Sequence, residues 1–93
     1  MVKQGYVYII GNNRPTLYIG VTSNLQKRIW EHKQSTIKGF SSKYKLTKLL
    51  YFEIHSDIKQ AIKREKQLKR WHREWKLNLI KSQNPELNDL WSQ

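Results

Sequence analysis

Two short runs of β-branched and aromatic residues, separated by turn-forming residues, constrain the fold of this chain most strongly. The runs are residues 6–10 (YVYII) and 17–21 (LYIGV), and the segment between them reads GNNRPT. Two such runs with a Gly/Asn link predict a β-hairpin. Residues 48–54 (KLLYFEI) make a third candidate strand.

Capping signals and apolar spacing predict that the first two helices follow the hairpin and the third strand. Ser23 with Gln26 three positions later fits a capping box, so the first helix begins near residue 24. Ser56 or Asp57 can cap a second helix, which continues to about Trp71.

Two further segments complete the predicted layout. Residues 74–81 are expected to be helical, and Asn84 with Pro85 fits an N-cap followed by a proline that opens a last helical turn. The resulting order, β-β-α-β-α-α, predicts a small α+β fold with an antiparallel sheet. With 93 residues, the chain is expected to form one domain, residues 1–93.

The charge of the chain points to a polyanionic partner. There are 18 Lys and Arg against 7 Asp and Glu, a net charge of +11 at pH 7. Such an excess attracts polyanions, and nucleic acid is the most common one inside a cell. The alternatives are a basic surface kept for solubility and association with a ribosome or a membrane surface.

Composition also excludes several classes of protein. The chain has no Cys, which excludes disulfides, thiolate catalysis and thiolate zinc sites. Its apolar runs are only a few residues long, so no segment is expected to span a membrane. Its first residues lack the apolar stretch of a secretory signal. We therefore expect a soluble, cytoplasmic protein without a membrane partner.

Two polar side chains fall on the predicted inward side of the first helix. Leu25 and Ile29 define that side, and Arg28 and His32 lie three and seven positions after Leu25. This spacing places all four on one helix face.

Glu65 falls inside the apolar stripe of the second helix, three residues after Ile62 and three before Leu68, while its neighbour Arg64 is predicted to point outward. A charge on an inward face is costly unless it is paired or lies in a cleft. Two interpretations therefore stay open. One is a structural salt bridge between Glu65 and Arg28, and the other is a polar site where Arg, His and Glu side chains converge.

The predicted hairpin contributes two phenols to this part of the molecule. Tyr6 and Tyr8 share one face of the first strand, and Tyr18 and Gly20 share one face of the second. Whether Tyr8 and Tyr18 project to the same side depends on the register, which the long turn leaves open. Gly20 fits a place where the backbone is closely approached, or else the end of the strand.

Five elements of the sequence, taken in order, resemble the GIY-YIG nuclease family. They are Tyr6-Val7-Tyr8, Tyr18-Ile19-Gly20, Arg28, His32 and Glu65. The second signature tripeptide is intact, whereas the first departs from Gly-Ile-Tyr and keeps only its last Tyr. The resemblance implies a three-stranded antiparallel sheet between helices. It also implies a DNA endonuclease that depends on Mg²⁺ or Mn²⁺, of the kind found in repair or recombination.

The resemblance also implies a role for each matched side chain. Tyr8 would be the general base or the phenol that orients the attacking water, and Tyr18 would support the nucleophile and the scissile phosphate. Arg28 would bind that phosphate, and His32 would hold Tyr8 or move protons. Glu65 would hold the metal. Family members also often use an Asn near the C-terminus, for which Asn78 and Asn84 both qualify by position.

The implied chemistry is coherent in its own terms. Mg²⁺ prefers oxygen ligands and keeps several waters, so one carboxylate with the substrate phosphate can suffice. A free phenol has a pKa of about 10, and we expect Arg28 or the metal to lower the pKa of Tyr8. His32 is the alternative base.

Binding is expected to fall to the lysines and arginines. Contacts of this kind with phosphates are blind to sequence, and no base-reading module is evident, so little base specificity is expected. Trp71 and Trp75 either stack on bases or, as is more common for this spacing, belong to the core. The predicted contacts are Lys33, Lys38, Lys43, Lys45, Lys63, Lys66, Lys69 and Arg70.

The partner is expected to be DNA, with RNA left open, and the chain is expected to be a monomer or a weak homodimer. The alternative to an enzyme is a nucleic-acid-binding module of the same fold with weak or no cleavage.

Overall fold

A computed structural model describes residues 3–12, 15–34 and 43–91. Within these ranges three strands form one antiparallel sheet, in the order β2-β1-β3. The strands are β1 (Gly5–Gly11), β2 (Leu17–Thr22) and β3 (Lys48–His55). The predicted hairpin and the predicted third strand are both confirmed.

The helices are α1 (Leu25–Lys33), α2 (Ile58–Lys69) and α3 (Arg73–Gln83). The cap predicted for α1 is wrong by one residue, because Asn24 rather than Ser23 has the extended backbone of an N-cap and accepts a hydrogen bond from the Lys27 N–H at 3.1 Å. For α2, Asp57 is the cap and accepts from the backbone N–H two residues later.

The sheet is covered on both faces because its strands alternate apolar side chains to each side. The face that carries Tyr8 and Ile10 packs against Ile29 of α1. The opposite face packs against α2 and α3, and its buried side chains include Val7, Ile9, Ile19, Ala61, Leu68 and Ile80. This arrangement confirms the predicted α+β fold class.

The outward orientation predicted for Arg64 is wrong, as is the inward one predicted for Ile62. Ile62 is 38% exposed. The Arg64 guanidinium points towards β3, donates to both carboxylate oxygens of Glu53 at 3.0–3.1 Å, and lies 5.3 Å from the Trp71 ring centre. A guanidinium matches a carboxylate in this forked geometry, so a partner on the neighbouring strand decides the side to which Arg64 turns.

Asn84 ends α3 and does not begin a new helix, so the predicted N-cap is wrong. The residue before a proline is disfavoured in helical conformation, and Asn84 precedes Pro85. The Asn84 side chain is buried, donates to the carbonyls of Leu50 (3.0 Å) and Asn88 (2.8 Å), and accepts from the Asn88 N–H at 3.1 Å. Asn84 thereby fixes the C-terminal segment, residues 85–91, to β3.

The C-terminal segment also reaches the opposite side of the sheet. Asp89 accepts a hydrogen bond from the Leu49 N–H at 3.0 Å and pairs with the ammonium of Lys33, the last residue of α1. Lys33 donates in addition to the Thr47 carbonyl at 2.8 Å. Lys33, predicted to contact nucleic acid, is therefore engaged within the fold and ties α1 to the C-terminal segment.

None of the helices in the described ranges combines the length and apolarity needed to cross a membrane.

Replacing Asn84 by Ala is expected to destabilise the fold by about 2–3 kcal/mol, since it leaves the buried Leu50 carbonyl without its donor and loses both bonds to Asn88. Urea denaturation measures the change. The matched control is Asn78→Ala, at an exposed position of α3, which is expected to stay within about 0.5 kcal/mol. Equal losses for the two variants would contradict the role given to Asn84.

Candidate active site

The β1/β2 register places Tyr8 and Tyr18 on the same face of the sheet. Tyr8 lies opposite Gly20, and Ile10 lies opposite Tyr18. Directly opposed residues of an antiparallel pair point to the same side. The two phenol rings have their centres 6.4 Å apart, so the register settles the question that the sequence leaves open.

Gly20 is required because the ring of Tyr8 lies across its backbone. A Cβ atom at position 20 would lie 2.4 Å from both Cζ and the hydroxyl oxygen of Tyr8, a distance that no side-chain atom tolerates. The absence of a side chain at the last position of the Tyr18-Ile19-Gly20 tripeptide therefore leaves room for the ring of Tyr8.

His32 completes a group of three rings on this face. It is only 5% exposed, and its ring centre lies 5.6 Å from that of Tyr8 and 5.8 Å from that of Tyr18. The Tyr8 hydroxyl oxygen is 3.0 Å from His32 Nε2. The inward side predicted for His32 is where the structure has it.

Burial sets the protonation of this pair. Burial, together with the positive charge of Arg28, lowers the pKa of His32 below its ordinary 6.5, so the imidazole is neutral at pH 7 and can accept the Tyr8 proton. Burial raises the pKa of Tyr8 above its ordinary 10, as does the nearby Tyr18. Arg28 lowers the pKa of Tyr8 in turn, but burial prevails. The expected lowering of this pKa by Arg28 is present, but it is smaller than the rise that burial causes.

Three charged side chains lie within electrostatic range of Tyr8 and shift its pKa. Arg28 lowers it, whereas Glu65 and Glu31 raise it. Arg28 Nε lies 3.7 Å from a Glu31 oxygen, and a Glu65 oxygen lies 3.2 Å from Lys69 Nζ. Arg28 and Glu65 are thus each paired with an oppositely charged residue of the same helix. The sequence leaves open a direct salt bridge between Arg28 and Glu65 instead.

Of these three charged residues, Glu31 alone is not among those predicted from the sequence. It contacts Arg28, which lies three residues earlier on α1, across one helical turn. That spacing is the signal from which it was predictable, because side chains three positions apart on a helix are neighbours.

The Glu65 carboxylate suits a hard divalent cation. Its side chain is 14% exposed, and one of its oxygens contacts the Lys69 ammonium. Across the part of the chain that the structure describes, no three His, Cys, Asp or Glu side chains group closely enough to hold an ion by themselves. A single carboxylate suits Mg²⁺, which usually keeps several waters and takes further oxygens from a substrate phosphate.

The predicted nucleic-acid contacts fall into separate places. Lys63, Lys66 and Arg70 line a depression on the outer side of α2, and Lys69 adjoins Glu65. Two more, Lys43 and Lys45, are exposed where the described chain resumes. Lys38 lies outside the described residues.

The two candidate asparagines differ in burial and bonding. Asn84 is buried and bonded to the backbone of β3 and of the C-terminal segment, so the fold uses all of its amide. Asn78 is exposed on α3 and lines a shallow depression with Trp71 and Trp75.

Known proteins resemble this chain over most of its length. A family model described as "GIY-YIG catalytic domain" matches residues 4–78. A UPF0213 protein of Syntrophus aciditrophicus is 38% identical over 86 residues, which cover 91% of this chain and 98% of the relative. UPF0213 proteins of Clostridium perfringens and Staphylococcus haemolyticus are 37% and 35% identical over 79 residues each. These matches cover 85% and 81% of this chain, and 85% and 92% of the relatives.

With residues 4–78 of its 93 residues inside that model, and with the fold described above, the chain belongs to the GIY-YIG family and thus to a superfamily of nucleases. No solved structure matches it significantly.

Replacing Gly20 by Ala is expected to destabilise the fold by about 1–3 kcal/mol, because the added methyl group meets the Tyr8 ring. In a Tyr8→Leu background, which removes the atoms in conflict, the same change is expected to cost nearly nothing. Urea denaturation of the four proteins in this double-mutant cycle measures the difference. An equal cost in both backgrounds would show that something other than Tyr8 excludes a side chain at position 20.

Proposed function

We propose that this chain is a divalent-metal-dependent endonuclease that hydrolyses phosphodiester bonds in DNA with little base specificity. The observation that supports it most is the Tyr8 hydroxyl, 3.0 Å from His32 Nε2 and within electrostatic reach of Arg28 and Glu65. Hydrolysis of a phosphodiester needs an activated water, charge neutralisation at phosphorus and help for the leaving oxygen, and these four side chains together can meet those needs.

Tyr8 and His32 act together on the attacking water. Because burial keeps the phenol protonated, Tyr8 does not serve as a base alone. It accepts the proton of the water at its hydroxyl oxygen while its own proton passes to the neutral imidazole at His32 Nε2. This relay needs a neutral His32, which the lowered pKa of that residue provides at pH 7.

Arg28 binds the scissile phosphate. Its guanidinium stays charged and offers two parallel donors to phosphate oxygens, and its contact with Glu31 at 3.7 Å is long enough to be exchanged for the substrate. Tyr18, whose ring packs against both Tyr8 and His32, orients the water or the phosphate with its hydroxyl.

Glu65 is the residue that would hold Mg²⁺ or Mn²⁺. When bound, the ion supplies Lewis acidity at a phosphate oxygen and neutralises developing charge. The Lys69 ammonium that now adjoins Glu65 is free to turn to a neighbouring phosphate.

Binding depends on charge rather than on base recognition. The net charge of +11 and the cations of α2 attract the phosphate backbone of any sequence, and such binding weakens steeply with salt. We propose further that the chain acts as a single domain, residues 1–93, and as a monomer or a weak homodimer.

One observation favours a second candidate function, a nucleic-acid-binding module with weak or no cleavage. Burial raises the pKa of Tyr8, which works against proton removal by this residue. In that case the same cations bind DNA, while the rings remain as a packed part of the fold.

Replacing Glu65 by Gln tests the enzymatic proposal. With Mg²⁺ the wild-type protein is expected to cut labelled DNA and to stop when a chelator is added. Glu65→Gln is expected to lower the cleavage rate about 100-fold or more, as loss of one electrostatic group at a reaction centre does. Its DNA affinity is expected to stay within about twofold of wild type, because other side chains make the phosphate contacts.

Glu74→Gln, at an exposed site on α3, is the matched control and is expected to cut at the wild-type rate. A Glu65→Gln protein that cuts DNA as fast as the wild type would show that Glu65 takes no part in the reaction. Wild-type protein that binds single-stranded, duplex and branched DNA but cuts none of them would establish the binding module instead.

A further inference from the structure

An aromatic group lies at the junction of α2 and α3, outside the candidate active site. The Trp71 and Trp75 rings meet edge to face with centres 6.0 Å apart, and the His72 and Trp75 rings do so at 5.4 Å. Trp71 packs against the core, but Trp75 is 54% exposed. The core role that the sequence favours for both residues therefore holds for Trp71 and is wrong for Trp75.

The exposed indole forms one wall of a shallow depression. Trp71, Trp75 and Leu79 make it largely apolar, and Asn78 and Ser82 complete its lining. Its volume is about 340 Å³, within the range of small-ligand sites. A flat apolar wall beside an amide suits a planar ring with hydrogen-bonding edges.

Cations connect this depression with the candidate active site. Lys63, Lys66 and Arg70 line the adjacent depression on the outer side of α2, which has Trp71 as a shared wall. Lys69, the residue before Arg70, contacts the Glu65 carboxylate at 3.2 Å. Because a helix is only about 10–12 Å across, a strand needs few nucleotides to cross α2 from Glu65 to Trp71.

We propose that the depression between Trp71 and Trp75 binds an unpaired nucleobase, and that the backbone of the same strand runs over the cations of α2. An indole stacks on any base, but the base must expose a ring face, which a base inside a duplex does not. The cationic surroundings favour a polyanion over other flat ligands. This inference rests on the proposed function, which makes DNA the ligand. It adds that the protein prefers DNA with a single-stranded segment.

The test measures binding rather than cleavage. A fluorescein-labelled single-stranded oligonucleotide and the matching duplex are titrated with protein in the presence of a chelator, and anisotropy gives the affinities. Trp75→Ala is expected to weaken binding of the single strand about 5- to 100-fold, the effect of losing one stacked base, with duplex affinity kept within about twofold.

Two variants keep the outcome interpretable. Trp75→Phe retains a ring and is expected to retain most of the single-strand affinity. Trp30→Ala removes a tryptophan of equal exposure, 53%, from α1 and is expected to change neither affinity. Thermal melting confirms that each protein is folded.

Three results would overturn the inference. They are unchanged single-strand binding by Trp75→Ala, an equal loss for single strand and duplex, and displacement of the oligonucleotide by polyglutamate as readily as by unlabelled single strand. The last would indicate an acidic protein partner. Because no cleavage is needed, a protein that never cuts DNA can still pass this test, so the two proposals fail separately.

Discussion

The hydrogen bond between Tyr8 and His32 is the interaction on which the candidate site depends. It forms only because β1 and β2 pair in the register that puts Gly20 beneath the Tyr8 ring and because α1 presents His32 to the same face. Glu65 comes from α2, which packs on the opposite face of the sheet, yet its charge still acts on Tyr8. The site therefore joins elements from both layers around one buried hydroxyl.

The C-terminal segment contributes to this site without entering it. Asn84 fixes that segment to β3, and Asp89 pairs with Lys33 at the end of α1. The helix that carries Arg28 and His32 is thereby tied at its last residue to the edge of the sheet. A geometry good to a fraction of an ångström needs such supporting contacts, and Asn84, Asp89 and Lys33 supply them at a distance from the three rings.

The sequence predicts the elements of this fold well because their signals are local. Alternating apolar residues mark the hairpin and β3, and spacing marks the inward position of His32. The failures at Arg64 and Asn84 have one cause, since the side on which each lies is decided by a partner distant in sequence, Glu53 for one and Leu50 for the other. The net rise in the pKa of Tyr8 is missed for a related reason. The lowering by Arg28 can be inferred from spacing, but the depth of burial that outweighs it cannot.

The rate of DNA cleavage by Tyr8→Phe shows whether the Tyr8 hydroxyl takes part in the reaction, because this change removes one oxygen atom and keeps the ring over Gly20. We expect the rate to fall about 100-fold or more, the usual contribution of a positioned proton-transfer group, with DNA binding unchanged. If Tyr8→Phe cuts DNA at the wild-type rate, the hydroxyl around which the site is built has no part in the reaction, and the proposed mechanism is wrong.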